Sequence, residues 1–207
     1  MKDLDLKTLF SAPLPGEIAH LELMPERRTY LKLYDDKKQM REAAVSIILF
    51  DNSLGFLSTL VIKRQEYDGS HSGQFSFPGG KMEKSDHDLY ETACRECREE
   101  IGVNPEQMIL LKEITPVYVP VSGFVVVPYV FYSETNKFNF QKSEREVQEI
   151  FEVKLNDLFT ASALKYKDVK SGSYLLKNIP HFEVNEVAIW GATALMLNEI
   201  KHILKHA

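Results

Sequence analysis

The chain has 207 residues, 44% of them hydrophobic, with a formal net charge of −5 and a pI near 5.7; this is the profile of an ordinary globular domain with ample material for a core. The acidic balance argues against DNA or RNA as a bulk partner, because nucleic-acid binding leans on clustered cations, but it leaves room for a small nucleotide held by metal and a few basic side chains. Two cysteines imply no disulfide framework, no apolar run approaches the ~18 residues of a membrane span, and MKDLDLKTLFSAPL lacks the apolar stretch of a secretory signal, so no membrane partner and a cytoplasmic location are expected.

Residues 2–10 read as a short amphipathic helix with Leu4, Leu6, Leu9 and Phe10 apolar. Residues 11–41 read as loop, broken by Pro13, Pro15 and Pro25, so 1–41 is expected as an N-terminal helix and extension and 42–207 as the main domain. Ala43–Phe50 and Leu57–Lys63 are β-rich runs joined by the turn signal DNSLG. Gln74–Pro78 alternates and ends at Gly79-Gly80. A helix over Asp86–Ile101 follows, with Ser85 as N-cap, Asp88 as the acidic partner of a capping box and Gly102 as its terminator. Further strands are expected at Met108–Ile114, Val117–Val121, Phe124–Tyr132 and Phe151–Leu155, and an amphipathic helix over Asn185–His206 closes the chain. Strands on both sides of a central helix predict an α/β layered fold with a mixed sheet. Residues 11–41 and 156–184 are long enough to serve as lids or as contacts to a partner chain, which would make a homodimer.

The central helix carries an unusual charge pattern. Glu96, Glu99 and Glu100 occupy about one and a half turns, where like charges at neighbour spacing repel by a few tenths of a kcal/mol per pair. Stepping ~100° per residue from Leu89, the positions Ala93, Cys97 and Ile101 form one apolar face, and the three carboxylates fill a sector of about 100° beside it. They are therefore partly shielded yet able to open into a cleft, with Arg95 at their flank. Such a cluster suits a hard divalent cation, which prefers oxygen ligands. Cys94-Arg95-Glu96-Cys97 is formally C-x-x-C, but with no second pair and a position on the core side it reads as two buried inert thiols.

Gly80 to Val103 (GKMEKSDHDLYETACRECREEIGV) resembles the Nudix box of the Nudix hydrolases, G-x5-E-x7-R-E-U-x-E-E-x-G-U with U apolar. Arg95 through Val103 matches at every specified position, accepting Cys97 as apolar. The first half departs: the glutamate position, counted from Gly80, holds Asp86, and eight residues rather than seven separate it from Arg95. That departure bears on loop shape more than on the helical carboxylates. Arg64 and the block His71-Ser72-Gly73-Gln74-Phe75-Ser76-Phe77-Pro78-Gly79-Gly80-Lys81 resemble the segment before the box in the coenzyme A pyrophosphatase branch. Pro116–Pro128, Glu146–Leu155 and Ile189–Ala194 also resemble that group.

The resemblance implies an α/β/α sandwich with a mixed sheet between helices. It implies metal-dependent hydrolysis of the diphosphate of coenzyme A or an acyl derivative. The products would be adenosine 3′,5′-bisphosphate and 4′-phosphopantetheine or its acyl form. Mg²⁺ or Mn²⁺ would sit on Glu96, Glu99 and Glu100, and Arg95 would hold a glutamate in place. Glu146 is the candidate general base, with Glu149 beside it, unless Glu99 or Glu100 takes the proton of the attacking water. Arg64, His71, Lys81 and Ser122 are candidate substrate contacts, and Gly79 and Gly80 allow close backbone approach. Other nucleoside diphosphate derivatives such as ADP-ribose, or a catalytically silent nucleotide-binding domain, are the alternatives.

Overall fold

The computed structural model describes residues 3–24, 26, 40–66, 73–120, 122–171, 174–184 and 186–205. Strand β1 (Arg41–Asp51) lies at the centre of its larger sheet. It runs parallel to β7 (Phe124–Ser133), from Arg41 opposite Phe124 to Phe50 opposite Ser133. Along its other edge it pairs antiparallel with β2 (Leu57–Arg64) at one end and with β4 (Gly79–Lys81) at the other. β3 (Phe75–Ser76) and β8 (Val147–Lys154) extend from β2, while β5 (Ile109–Glu113) and β6 (Val117–Val119) pair with β7, all antiparallel. One parallel pair among antiparallel ones makes the sheet mixed, as its sequence predicts.

Period-2 alternation assigns the faces. Ile47 and Leu49 of β1, Val61 of β2 and Val130 and Tyr132 of β7 enter one core. Its other wall comes from α1 (Asp3–Ser11), α2 (Glu17–Leu23) and the C-terminal helix α5 (Gly191–Lys205), the last numbered after the short α4 (Leu155–Leu158). Ile48, Phe50, Leu60 and Ile62 point the other way, onto Cys97 and Ile101 of α3 (Leu89–Ile101), and Ala44, Val127 and Phe131 meet Ala93 and Cys94 of the same helix. Slipping β1 by one residue would exchange both sets, so the register is strongly specified. The result is a mixed α/β structure with helices on both faces of the sheet.

Several sequence expectations are corrected. α3 starts at Leu89, with Asp88 as its N-cap: extended Asp88 accepts the Glu91 N–H at 2.8 Å. Ser85 and Asp86 lie outside the helix. Residues 17–23, expected as loop, form α2. The C-terminal helix starts at Gly191, because β11 (Val187–Trp190) pairs antiparallel with β10 (Tyr174–Val184), whose other neighbour is β9 (Leu164–Ser171). This second, three-stranded sheet takes up much of the unassigned stretch 156–184 and the first residues of the expected C-terminal helix. The expected strand over Gln74–Pro78 shrinks to two residues, and the Gly79-Gly80 turn is itself strand β4. Among the described residues, no helix is long and apolar enough to cross a membrane.

α2 is tied to α5 by polar groups that are fully buried. Glu199 accepts from Thr115 Oγ1 at 2.7 Å and faces His20 Nε2 at 3.1 Å, with both His20 and Glu199 sealed from solvent. A carboxylate only accepts, so Nε2 carries the hydrogen. Asn198 Nδ2 donates to the Ala19 carbonyl at 2.7 Å, one residue along each helix. Replacing Glu199 by Ala strands the His20 and Thr115 donors. The unfolding free energy in a urea titration should fall by about 3 kcal/mol; a change within experimental error would contradict this role.

Candidate active site

α3 delivers its carboxylates to the edge of the sheet where β4 begins. Glu100, in the last turn, is 1% exposed. The Gly79 N–H donates to its Oε2 at 2.8 Å and Arg64 Nη1 to its Oε1 at 3.2 Å. Burial pushes the Glu100 carboxyl up to about 7, against the pull of Arg64 and the Gly79 amide. Glu96 is largely buried and is raised as well, chiefly by desolvation, with Arg95 opposing. Glu99, one position from Glu100, is more than half exposed.

Arg95 organises this end of the helix. Its Nη1 donates to Glu96 at 2.9 Å and to Glu99 at 3.1 Å, and its Nη2 to the Lys81 carbonyl at 3.2 Å. Nε and Nη2 grip Asp86 in a two-pronged pair at 2.8 and 2.9 Å. Arg95, helped by the Glu83 amide and Thr92, holds the Asp86 carboxyl far below the usual carboxylate range. Asp86 therefore positions Arg95, which positions Glu96 and Glu99. This is a larger part than the loop-shaping one its place in the sequence suggests. The spacing holds a signal, since Asp86 stands where the family pattern places a carboxylate.

Close packing demands glycine at both positions of the turn. A Cβ on Gly80 would lie 2.5 Å from the Glu96 carboxylate, and one on Gly79 would lie 2.3 Å from the Ala44 carbonyl oxygen. Beyond this pair opens a cleft of about 640 Å³. Arg64, Lys81, Gly79 and Gly80 line one part of it, while Phe75, Val117, Trp190 and Met196 contribute apolar wall. Ser122 also borders the cleft, and its carbonyl accepts from Arg41. Glu146 is exposed, with its carbonyl fixed by the Gln65 N–H at 2.9 Å, and its charge contributes to raising both Glu96 and Glu100. Glu149 stands opposite Lys63 in the β2–β8 ladder. His71 lies outside the described residues. The apolar wall supplied by Trp190 and by Leu176 and Ile179 of β10 escapes the sequence reading, because it depends on strands with no clear periodic signal.

The donor set is all oxygen, the chemistry of a hard divalent cation. Among the described residues no three His, Cys, Asp or Glu side chains converge into a ready-made ion site. Glu96 and Glu99 turn to Arg95, and Glu100 turns to Arg64. The residues nevertheless fit a metal. Guanidinium groups already supply positive charge to these carboxylates, and Gly80 keeps the approach to Glu96 free of side chain. Cys94 and Cys97 are fully buried, and desolvation pushes their thiols up, Cys94 to about 11 and Cys97 further, as expected of inert thiols.

The raised Glu100 carboxyl has a consequence for stability. Its folded value of about 7 exceeds the ordinary 4.5, so the unfolded chain holds fewer protons between those pH values and stability falls as pH rises through that window. The penalty is ~3 kcal/mol at its full extent. Glu100→Gln cannot ionise and escapes it. With a chelator present, the stability of Glu100→Gln relative to wild type should therefore improve by about 2.5 kcal/mol from pH ~5 to pH ~8, measured by urea unfolding. A difference independent of pH would contradict the burial argument.

A NUDIX domain model matches residues 40–176. A Nudix hydrolase of Pectobacterium atrosepticum, NudL, is 32% identical over 168 residues, covering 78% of this chain and 82% of its own. Nudix hydrolase 15, mitochondrial, of Arabidopsis thaliana is 30% identical over 167 residues, 78% of this chain but 58% of that protein. Human mitochondrial coenzyme A diphosphatase NUDT8 is 29% identical over 135 residues, 65% of this chain and 57% of that protein. The chain thus spans less than two thirds of the latter two. Among solved structures, a Caenorhabditis elegans Ap4A hydrolase binary complex superposes with a TM-score of 0.53 at 15% identity, covering 81% of this chain and all of that one. A MutT/Nudix family protein from Enterococcus faecalis gives 0.53 at 12% identity, covering 99% and 75%; both likenesses concern the fold. The family match spans the sheet and α3 with its carboxylates, and the chain belongs to the Nudix hydrolases, a family whose members generally use divalent metal ions.

Proposed function

We propose that the protein hydrolyses the diphosphate of coenzyme A or its acyl derivatives, giving adenosine 3′,5′-bisphosphate and (acyl-)4′-phosphopantetheine. The observation that carries this reading is the junction at Gly79-Gly80. There the carboxylate end of α3 abuts a large cleft that changes from cationic and backbone groups to apolar wall. Coenzyme A has a matching layout: a diphosphate in the middle, a nucleoside on one side and a long, partly apolar arm on the other. The likeness to a protein named coenzyme A diphosphatase supports the same substrate.

Glu96, Glu99 and Glu100 would hold Mg²⁺ or Mn²⁺, which when bound lowers the pKa of water and offsets charge on the reacting phosphate oxygens. The chain's own groups do the rest. Gly79 and Gly80 let the substrate approach the backbone closely, Arg64 offers positive charge to the diphosphate, and Lys81 and Ser122 border the cleft. Arg95, fixed by Asp86, positions Glu96 and Glu99. Glu146 would accept the proton of the attacking water, unless Glu99 or Glu100 takes it; the charge of Glu146 contributes to raising both Glu96 and Glu100, which supports its nearness to the acidic face. Positioning and charge neutralisation carry most of phosphoryl-transfer catalysis.

The test is a substrate screen with Mg²⁺ or Mn²⁺, following products chromatographically. Coenzyme A should turn over, chelation should stop it, and Glu100→Gln should lower kcat by about a hundredfold or more while remaining folded. Turnover of ADP-ribose with coenzyme A inert would overturn the substrate assignment. An unchanged rate in Glu100→Gln would overturn the role of Glu100.

A further inference from the structure

The face of β1 that bounds the cleft can be followed residue by residue. Ala43 and Val45 line it. Opposite them stand Lys81 and Gly79 of β4, and Val126 of β7 faces Ala43 from the other side. Directly opposed residues share a face, as do residues two apart on one strand. The row therefore continues outward to Arg41, opposite Phe124. Arg41 is exposed; its guanidinium carbon lies 4.1 Å from the centre of the Phe124 ring, and its Nη2 donates to the Ser122 carbonyl. Phe124, Ser122 and Lys81 all border the cleft.

The cations around this cleft differ in what they face. Arg64 is committed to Glu100, and Arg95 to Asp86, Glu96 and Glu99. Among the described residues, neither Arg41 nor Lys81 has a carboxylate at ion-pair distance. In a chain whose net charge is −5, a cation lining the cleft, Lys81, and a second, Arg41, resting on two of its lining residues are an anion-seeking arrangement. A planar guanidinium laid on an aromatic ring is already ordered, so it loses little freedom on gripping a phosphate with two parallel hydrogen bonds.

Their placement separates them from the diphosphate. Val45 faces Gly79, next to Glu100, and Arg41 is four residues further out, ~13 Å along the strand, with Lys81 about halfway. We infer that Arg41 and Lys81 form a reading site for a phosphomonoester on the ribose of the substrate, apart from the diphosphate that is cleaved. The inference rests on the coenzyme A reading above and deepens it. It names the two residues that separate a 3′-phosphorylated nucleotide from its dephosphorylated counterpart.

The experiment compares coenzyme A with dephospho-coenzyme A in wild type, Arg41→Gln and Lys81→Gln. Wild type should favour coenzyme A in kcat/KM. Each variant should lose about tenfold or more on coenzyme A, mainly through KM, while staying within about twofold of wild type on dephospho-coenzyme A. The dephospho substrate doubles as the control for folding. Equal losses on both substrates, or no wild-type preference, would overturn the site while leaving the coenzyme A reading standing. If neither substrate turns over and another nucleoside diphosphate derivative does, the coenzyme A reading and this inference fall together.

Discussion

Glu100 is a carboxylate placed where carboxylates are expensive. It sits in the last turn of α3, sealed against the sheet, and what compensates it comes from two other elements: the Gly79 amide at the start of β4 and the Arg64 guanidinium at the end of β2. Taking an ionised carboxylate out of water costs several kcal/mol unless it is paired and hydrogen-bonded. Here the compensation is incomplete, since burial still outweighs both partners. One side chain thereby fixes the spacing between helix, strand and glycine turn. It also leaves a negative site that a further positive charge would relieve, a design better suited to binding than to stability.

Arg95 complements Glu100. An isolated turn bearing Glu96, Glu99 and Glu100 would be weakened by repulsion, but Arg95 spans two of the three and is itself anchored by Asp86. Asp86 also accepts from the Glu83 amide and Thr92, so the loop before the helix is stitched to the helix by the same carboxylate. The loop has to be folded correctly before the acidic face can be presented. That coupling explains how a carboxylate outside the helix governs the orientation of those on it.

Much of this was legible in the sequence wherever a side chain's fate depends on near neighbours. The wheel placing Ala93, Cys97 and Ile101 in the core and the carboxylates beside them holds in three dimensions, and the β-rich run over Ala43–Phe50 is the central strand. The family pattern identified the helix and the glycine turn. Legibility failed where the partner lies far along the chain. In sequence Ser85 reads as the N-cap and Asp88 as its capping-box partner; Asp88 caps instead because Asp86 is drawn toward Arg95 and the helix begins only beyond it. Gly79-Gly80 reads as a turn and is a strand, because Ala44 and Val45 are there to pair with it. α2 hides in a proline-broken stretch because its reason to be helical, the contact of Ala19 and His20 with Asn198 and Glu199, lies about 180 residues away.

The two sheets divide the labour differently from the order of the chain. The larger sheet and α3 carry the carboxylates and the glycine turn, within the span that the family model matches. The cleft that would receive the rest of a substrate is lined by residues of that span and, on its far side, by residues beyond it: Ile179 of β10, Trp190 of β11, and Leu195 and Met196 of α5. β11 leads directly into α5, and α5 is pinned by the buried contacts to α2. That part of the apolar wall therefore rests on a scaffold separate from the one that holds the carboxylates, while Phe75 and Val117 belong to the larger sheet itself. A change in the second sheet can reshape the pocket without disturbing Glu96, Glu99 or Glu100, whereas a change at Asp86 or Arg95 disturbs the acidic face whatever the pocket holds. The far wall of the pocket and the acidic face are thus held by different elements, and Gly79-Gly80 is the narrow strip of backbone where the two meet.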